Sequence, residues 1–393
     1  MTIELDIYQT MALVALVFYL GKYLHNRISI FTKYCIPPAV IGGFTFALVI
    51  LFFNKTGLVD MVLDTTLQNI FMTAFFTSIG FTASIKILKQ GGIKVVTFLA
   101  VSSLLVVLQN IVGVTLARTF NLSPLLGLCT GSIPMVGGHG TSGSFGPIIE
   151  SLGVGSATTV SFASATFGLI MGSIIGGLVA RTLVLRHKLQ VEPTAKKENT
   201  TKENADLLSF KKLMNAACLL FIAMGLGSIV SSMIQATGLA FPSYIGAMLV
   251  AAVIRNIYDF RHHALEEKEI ETLGSLSLSF FLTMALMGLK LWQLFDLALP
   301  LLIMLIAQAL LTGSFAYFIV YRIMGKNYEG AVFASAICGF GMGATPNAIA
   351  NMDELTNKYG FAPTPYFVVP IVGCLFIDFV NSGIITLFIN IFK

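Results

Sequence analysis

The sequence predicts an all-α integral membrane protein: ten transmembrane helices in two inverted-topology five-helix repeats, each with a re-entrant hairpin between its fourth and fifth helices. Three observations lead there. First, 56% of the 393 residues are hydrophobic and only 11% charged, at a mean hydropathy of +0.85, whereas a soluble domain averages about 25% charged residues. So few charges would leave a soluble particle without enough polar groups to cover its surface, a requirement that a bilayer removes. Second, Lys and Arg are placed asymmetrically along the chain. Third, short stretches of the first half recur about 204 residues later.

A membrane-crossing helix needs about 20 mostly apolar residues. Windows of that length give spans over 8–24, 36–53, 66–85, 95–117 and 157–180, then 213–236, 242–258, 272–290, 298–321 and 364–391. The polar stretch 186–212 between them reads as a linker, dividing the chain into an N-terminal repeat, 1–185, and a C-terminal repeat, 213–393. The start, MTIELDIYQT, has two acids and no basic residue ahead of its apolar run, which argues against a cleaved signal peptide. Two stretches, 123–147 and 328–352, are apolar enough to enter a membrane but too broken by Gly and Pro to cross as ordinary helices.

Positive residues gather in the cytoplasmic loops of membrane proteins. With ten spans and an external N-terminus, 20 of the 24 Lys and Arg fall on one face, eight of them around the linker. Lys55, Arg118, Lys290 and Lys393 fall on the other. The bias survives only if both broken stretches return to the side they entered from. The linker is therefore expected in the cytoplasm and both termini outside.

Pro38-Ala-Val-Ile-Gly-Gly43 resembles Pro242-Ser-Tyr-Ile-Gly-Ala247, and the pair Phe75-Phe76 recurs as Phe280-Phe281. Gly127, Ser132, Gly138 and Gly140 align with Gly330, Ser335, Gly341 and Gly343, all at an offset of 203. Five spans per half is an odd number, so the second copy is inverted. Inverted repeats with interrupted segments in matching positions point to a secondary transporter and to its binding site.

In hydrocarbon, non-helical backbone survives only where protein or a water-filled cavity satisfies its polar groups. Gly137, Gly138, Gly140 and Gly143, with Gly339, Gly341 and Gly343, let the chain turn sharply and approach a ligand closely. Pro346 suits the first turn of a helix, so a short helix is expected to start there. A helix N-terminus suits a carboxylate, while freed carbonyls and hydroxyls suit a small hard cation. Thr141, Ser142, Ser144, Thr345, Asn347 and Asn351 supply further donors and acceptors. The competing reading, that these glycines only allow close helix packing, is weaker for two dense segments in register than for an isolated pair.

Asp378 is the one acid deep in a predicted span, with Asn381 one turn on. An intramembrane carboxylate points to function or to an interhelical tie. Ser161, Ser164 and Thr166, and Thr77 and Ser78, are weaker candidates, since span hydroxyls commonly bond their own helix. His139 has three roles open to it: binding substrate, carrying a proton, or holding its loop.

Other classes fail on specific residues. Gly140-Thr-Ser-Gly143 matches the GxSG of rhomboid-type proteases, but no His lies in another span to act as base. Gly341-Met-Gly343 is followed by Ala344, not the Asp of aspartyl intramembrane proteases. There is no Walker A motif for ATP hydrolysis. The five Cys form no metal or redox spacing and read as small buried hydrophobes. The basic residues form no dense patch interleaved with aromatics, so no nucleic-acid partner is expected.

The segment GGHGT (137–141) resembles the bacterial sodium/glutamate symporter family. So do LSLSFFLTMALMGLKLW (276–292), MGKNYEGAV (324–332) and CGFGMGATPNAIANM (338–352), followed by VVP and FIDFVN. The likeness runs almost end to end. It implies Na⁺-coupled uptake of L-glutamate across the bacterial inner membrane, with Na⁺ as coupling ion and no organic cofactor. It also implies a homodimer in the lipid bilayer with an elevator-like movement. Carried onto matching positions, Gly138, His139, Gly140, Thr141, Ser142, Thr345, Asn347 and Asp378 are expected to bind substrate. Gly137, Ser164, Gly341, Gly343, Asn351 and Asn381 are expected at Na⁺. Ser132-Ile-Pro134 departs from the pattern, having proline where another polar residue is expected. The lack of Arg in any span interior, Arg255 lying near the end of 242–258, argues against a citrate-type carrier. A carrier of another amino acid or a dicarboxylate, with protons as a further alternative for coupling, is the runner-up; a membrane sensor or structural subunit is the non-transport alternative.

Overall fold

The computed structural model describes residues 2–55, 60–189, 209–236, 242–294 and 297–393. Most of the predicted linker, 190–208, lies outside the described residues. The first half runs through α1 (Ile7–Arg27), α2 (Ser29–Lys33), α3 (Pro38–Lys55), α4 (Thr66–Thr82), α5 (Ile85–Gln90) and α6 (Gly92–Thr119). It continues through α7 (Pro124–Leu128), α8 (Ser132–Met135), α9 (Gly138–Ser151) and α10 (Ala157–His187). The second half contains α11 (Phe210–Gln235), α12 (Ser243–Phe260), α13 (Glu267–Met287) and α14 (Ala298–Phe315), which passes through a π-helical turn into α15 (Tyr321–Ile323). Then come α16 (Tyr328–Gly341), α17 (Thr345–Tyr359), α18 (Pro363–Pro370) and α19 (Ile377–Phe392). Two three-residue strands, β1 (Thr2–Glu4) and β2 (Asp60–Val62), pair in parallel beside the start of α1. The side chain of Asp6 caps α1 by accepting from Gln9 N at 2.8 Å.

Among the described residues six helices are long and apolar enough to cross a membrane: α1, α6, α10, α11, α13 and the continuous α14–α15. The α18–α19 pair makes a seventh if its 44° bend is counted within one span. The sequence predicts 364–391 as one span, and the structure bends it by 44°. Pro370 has no N–H to give the preceding turn, and the backbone at Ile371–Phe376 loosens into π-helical geometry before α19 resumes. The remaining predicted spans, α3, α4 and α12, have 17 or 18 residues, about 26 Å at 1.5 Å per residue. They are near the lower limit, and α4 and α12 also carry polar groups such as Gln68, Asn69, Arg255 and Asp259.

Helix contacts divide the chain into two bodies. In one, α1, α3, α4, α11, α12 and α13 pack on each other, α3 crossing α13 as α12 crosses α4. Two of its crossings are backbone-close: a Cβ on Gly42 would collide with Val17 O on α1, and one on Gly246 with Gly227 O on α11. In the other body, α6 and α14 pack together and flank α7–α10 and α16–α19, around buried Phe98, Leu105, Phe333, Ile337 and Phe340. The bodies meet with α9 on α13 and the π-helical stretch 371–376 on α4, and share buried clusters in which Phe76 and Tyr244 pack with Phe145, and Phe281 with Phe162.

Candidate functional site

The second broken stretch is a helical hairpin. With 14 residues, α16 is about 21 Å long, too short to cross a hydrocarbon core of about 30 Å. The side chain of Asn327 starts it by accepting from Gly330 N at 2.9 Å. The chain turns at Met342–Ala344 and α17 returns alongside, where Asn351 Nδ2 donates to Ser335 O at 3.2 Å. A Cβ on Gly339 would lie 2.5 Å from Ala348 N, so only glycine permits that approach. Helix α17 begins at Thr345 with Pro346 in its first turn, as the sequence predicts.

The first broken stretch is more fragmented. Helices α7 and α8 have five and four residues, and α7 is pressed backbone to backbone on α6, where a Cβ on Gly127 would collide with Gly113 O. After α8 the chain reverses through Val136–Gly137, and Gly138 takes a left-handed φ of +59° to begin α9. The two tips touch: a Cβ on Gly138 would sit 3.1 Å from Gly343 O.

Around that junction, His139 Nε2 lies 3.1 Å from Thr166 Oγ1. Thr166 already donates to Phe162 O at 3.0 Å, so it accepts from the imidazole N–H, and this contact holds the loop to α10. Ser142 donates to Gly138 O at 2.7 Å and to Ser161 O at 3.3 Å, bracing the turn. Gly137 is tight against Thr141. Gly140, on α9, faces Phe75 on α4 and Leu278 on α13 across the boundary between the bodies. Gly341 O accepts from Gln109 Nε2 at 2.7 Å. Thr345 packs near Gly373 of the π-helical stretch. Asn347 Nδ2 donates to Leu169 O at 2.9 Å and to Ser173 Oγ at 3.1 Å, and Asn351 Nδ2 donates also to Gly172 O at 3.1 Å. These asparagines fasten α17 to α10.

Asn381 on α19 donates to Ser132 O at 3.2 Å, joining the last helix to the first hairpin. Asp378 lies half-buried in the first turn of α19, one turn before Asn381. Ser164 stands apart. Its hydroxyl donates to Val160 O at 2.7 Å on its own helix, and among the described residues no hydrogen bond ties it to either hairpin.

Three residues not singled out by sequence belong to this frame. Gln109 on α6 reaches both Gly341 O and Thr312 Oγ1. Asn110 Oδ1 accepts from Ser132 N at 2.9 Å. Tyr244, fully buried and stacked on Phe76, accepts from Ser144 at 3.3 Å. Two amides inside a long apolar helix were the available signal for the first pair.

Ser132 Oγ, Asn381 Oδ1 and Asn347 Oδ1 are buried without a protein hydrogen-bond partner. Buried oxygens are normally satisfied, and hard oxygen donors at interrupted helices suit a small cation. Two cavities follow the seam between the bodies. One, of about 760 Å³, reaches Gly143 and Ser144 and is lined by Gln68, Asn69, Glu150 and Lys290. The other, of about 310 Å³, lies at the opposite end of α4 beside Ser78, Thr82, Arg255 and Leu375.

The sequence profile of the sodium/glutamate symporter family matches residues 3–361. Proteins named sodium/glutamate symporter from Escherichia coli (strain K12) and Shigella flexneri are each 39% identical over 393 residues, covering 98% of this chain and 98% of theirs. One of the same name from Haemophilus influenzae is 36% identical over 394 residues, 98% of this chain and 97% of its own. Among solved structures, the sodium proton antiporter of Methanocaldococcus jannaschii aligns over 98% of this chain and 99% of its own, at 16% identity and a TM-score of 0.44, a likeness on which nothing here rests. Matched over almost its whole length by the profile and by relatives well above 30% identity, the chain belongs to the sodium/glutamate symporter family.

Proposed function

We propose that this chain is a secondary transporter that takes up L-glutamate with Na⁺ across the bacterial inner membrane. The observation that carries the reading is the contact between the two broken segments, Gly138 against Gly343 O, in a chain whose relatives bear the name sodium/glutamate symporter. Glutamate sits at this junction. The Thr345 N–H at the start of α17 and the N–H groups at the start of α9 face its carboxylates, with Thr141, Ser142, Thr345 and Asn347 beside them and Asp378 available to its ammonium group. Na⁺ takes its oxygens from Ser132 and Asn381, with the carbonyl of Gly343. Gly137 O and Gly341 O are engaged by Thr141 N and Gln109 Nε2, and Asn351 fastens α17 to α10 and α16, which makes all three supports of the site.

Ten spans in two inverted repeats remain the favoured topology. Support comes from the paired crossings of α3 on α13 and α12 on α4, and from Gly42 and Gly246 at corresponding crossings. In that topology both termini and Lys290 face out and the linker is cytoplasmic, so the larger cavity opens outside and the smaller inside. Two cavities at opposite ends of the boundary between the bodies favour elevator-type alternating access. The homodimer rests on the family resemblance.

The test is uptake of labelled L-glutamate into proteoliposomes carrying the purified protein, with an imposed inward Na⁺ gradient. Uptake that follows the gradient and stops when Na⁺ is replaced by K⁺ is expected. Uptake indifferent to that replacement would sink the coupling, and absence of any solute movement would return the chain to the sensor or structural class.

A further inference from the structure

We propose that a basic cleft between the end of α10 and the end of α14–α15 binds the headgroup of an anionic phospholipid, far along the fold from the hairpin tips. The cleft encloses about 530 Å³ and is lined by Arg186, His187, Tyr317, Phe318, Tyr321, Arg322 and Lys326, with Leu189 at its edge. No acidic side chain among the described residues lines it. Among the described residues Arg186, Arg322 and Lys326 form no ion pair. Three cations therefore converge on one enclosure without an acidic partner among the described residues.

The enclosure is built rather than incidental. His187 stacks on Tyr321 with ring centroids 5.2 Å apart, tying the two helix ends together. Tyr321 is buried and its hydroxyl donates to Lys326 O at 3.0 Å, fixing the loop that carries Lys326. Gly325 at φ +128° and Lys326 at φ +55° make the reversal that brings this loop over the cleft.

A bias of Lys and Arg toward one membrane face accounts for basic residues at these helix ends, but not for their convergence on an aromatic-floored cavity without acids. Both helices are membrane-crossing candidates, so the cleft lies at the level where headgroups sit. Its apolar margin continues it toward the bilayer. Leu178 and Leu185, seven residues apart on one face of α10, and Phe318 and Ile323 are each at least 50% exposed. A charged head with an apolar track below it fits a phospholipid better than a free anion. Lys and Arg near an anionic surface each strengthen attachment, and basic pockets between spans suit phosphate headgroups.

The test is native mass spectrometry of the full chain in detergent, titrated separately with phosphatidylglycerol and phosphatidylcholine. Wild-type protein is expected to bind the first phosphatidylglycerol at least about 10-fold more tightly than phosphatidylcholine. The triple variant Arg186→Gln/Arg322→Gln/Lys326→Gln is expected to lose that preference, and Arg322→Gln alone to lose part of it, about 3-fold or more. Lys211→Gln/Lys212→Gln, at exposed basic positions outside the cleft, is expected to keep it. Equal loss in this control reduces the effect to general surface charge and overturns the proposal. So does an unchanged preference in the single variant. Displacement of the lipid by inorganic phosphate at low millimolar concentration would identify a free-anion site and overturn it equally.

Discussion

At the scale of single residues, the site is set by groups whose partners lie far away in sequence. Ser132 is separated by 22 residues from Asn110, which holds its N–H, and by 249 from Asn381, which holds its carbonyl. Asn381 and Asp378 were legible in the sequence as polar groups in an apolar run. Ser132 was not, because a serine inside a glycine-rich stretch looks like any other until its two clamps are folded around it. With Ser132 Oγ and Asn381 Oδ1 as Na⁺ ligands, Asn381→Ala is expected to raise the Na⁺ concentration for half-maximal uptake by about 10-fold, or about 1.4 kcal/mol. A Na⁺ dependence unchanged from wild type removes Asn381 from the ion site. Asp378→Asn is expected to weaken glutamate or Na⁺ activation while the protein still inserts and purifies normally. Wild-type kinetics in that variant make Asp378 an interhelical tie.

At the scale of elements, both interruptions were written in the sequence, since Gly and Pro at those densities cannot continue a helix. Their internal form was not: α7 and α8 are set by the fit of Gly127 against Gly113 and by the anchoring of Ser132, both long-range. The bend between α18 and α19 was also missed. A proline in a long apolar run is compatible with a straight span when neighbours reorganise, and sequence alone does not say whether they do. Gly138→Ala places a Cβ on a left-handed residue, costing about 1–2 kcal/mol, and within 3.1 Å of Gly343 O. It is expected to cut the rate of uptake severely with little change in the amount of folded protein; wild-type rates indicate that the tips do not meet during transport. Gly127→Ala, by contrast, is expected to lower thermal stability, since overpacking costs about 1–3 kcal/mol, and an unchanged melting temperature contradicts the close packing of α6 and α7.

At the scale of the whole molecule, composition and charge placement made the membrane class legible, and a faint offset made the two halves legible. Their sorting into two bodies was not, because each body takes helices from both halves and the sorting exists only in contacts between them. If the bodies slide past each other, joining them across the α9–α13 seam stops transport. In a cysteine-free background, Gly140→Cys with Leu278→Cys, bridged by a short bis-thiol reagent, is expected to abolish uptake, and cleaving the bridge to restore it. Full uptake with the bridge intact contradicts relative movement of the bodies. The central claim is that the two hairpin tips jointly hold the substrate, and its most direct test is an experimental structure of the protein with Na⁺ and L-glutamate bound. The account predicts glutamate density between Gly138–Ser142 and Thr345–Asn347, with a carboxylate at hydrogen-bonding distance from the first turn of α17. Glutamate bound elsewhere, for example wholly within the outer cavity beside Lys290 and out of reach of both tips, contradicts it.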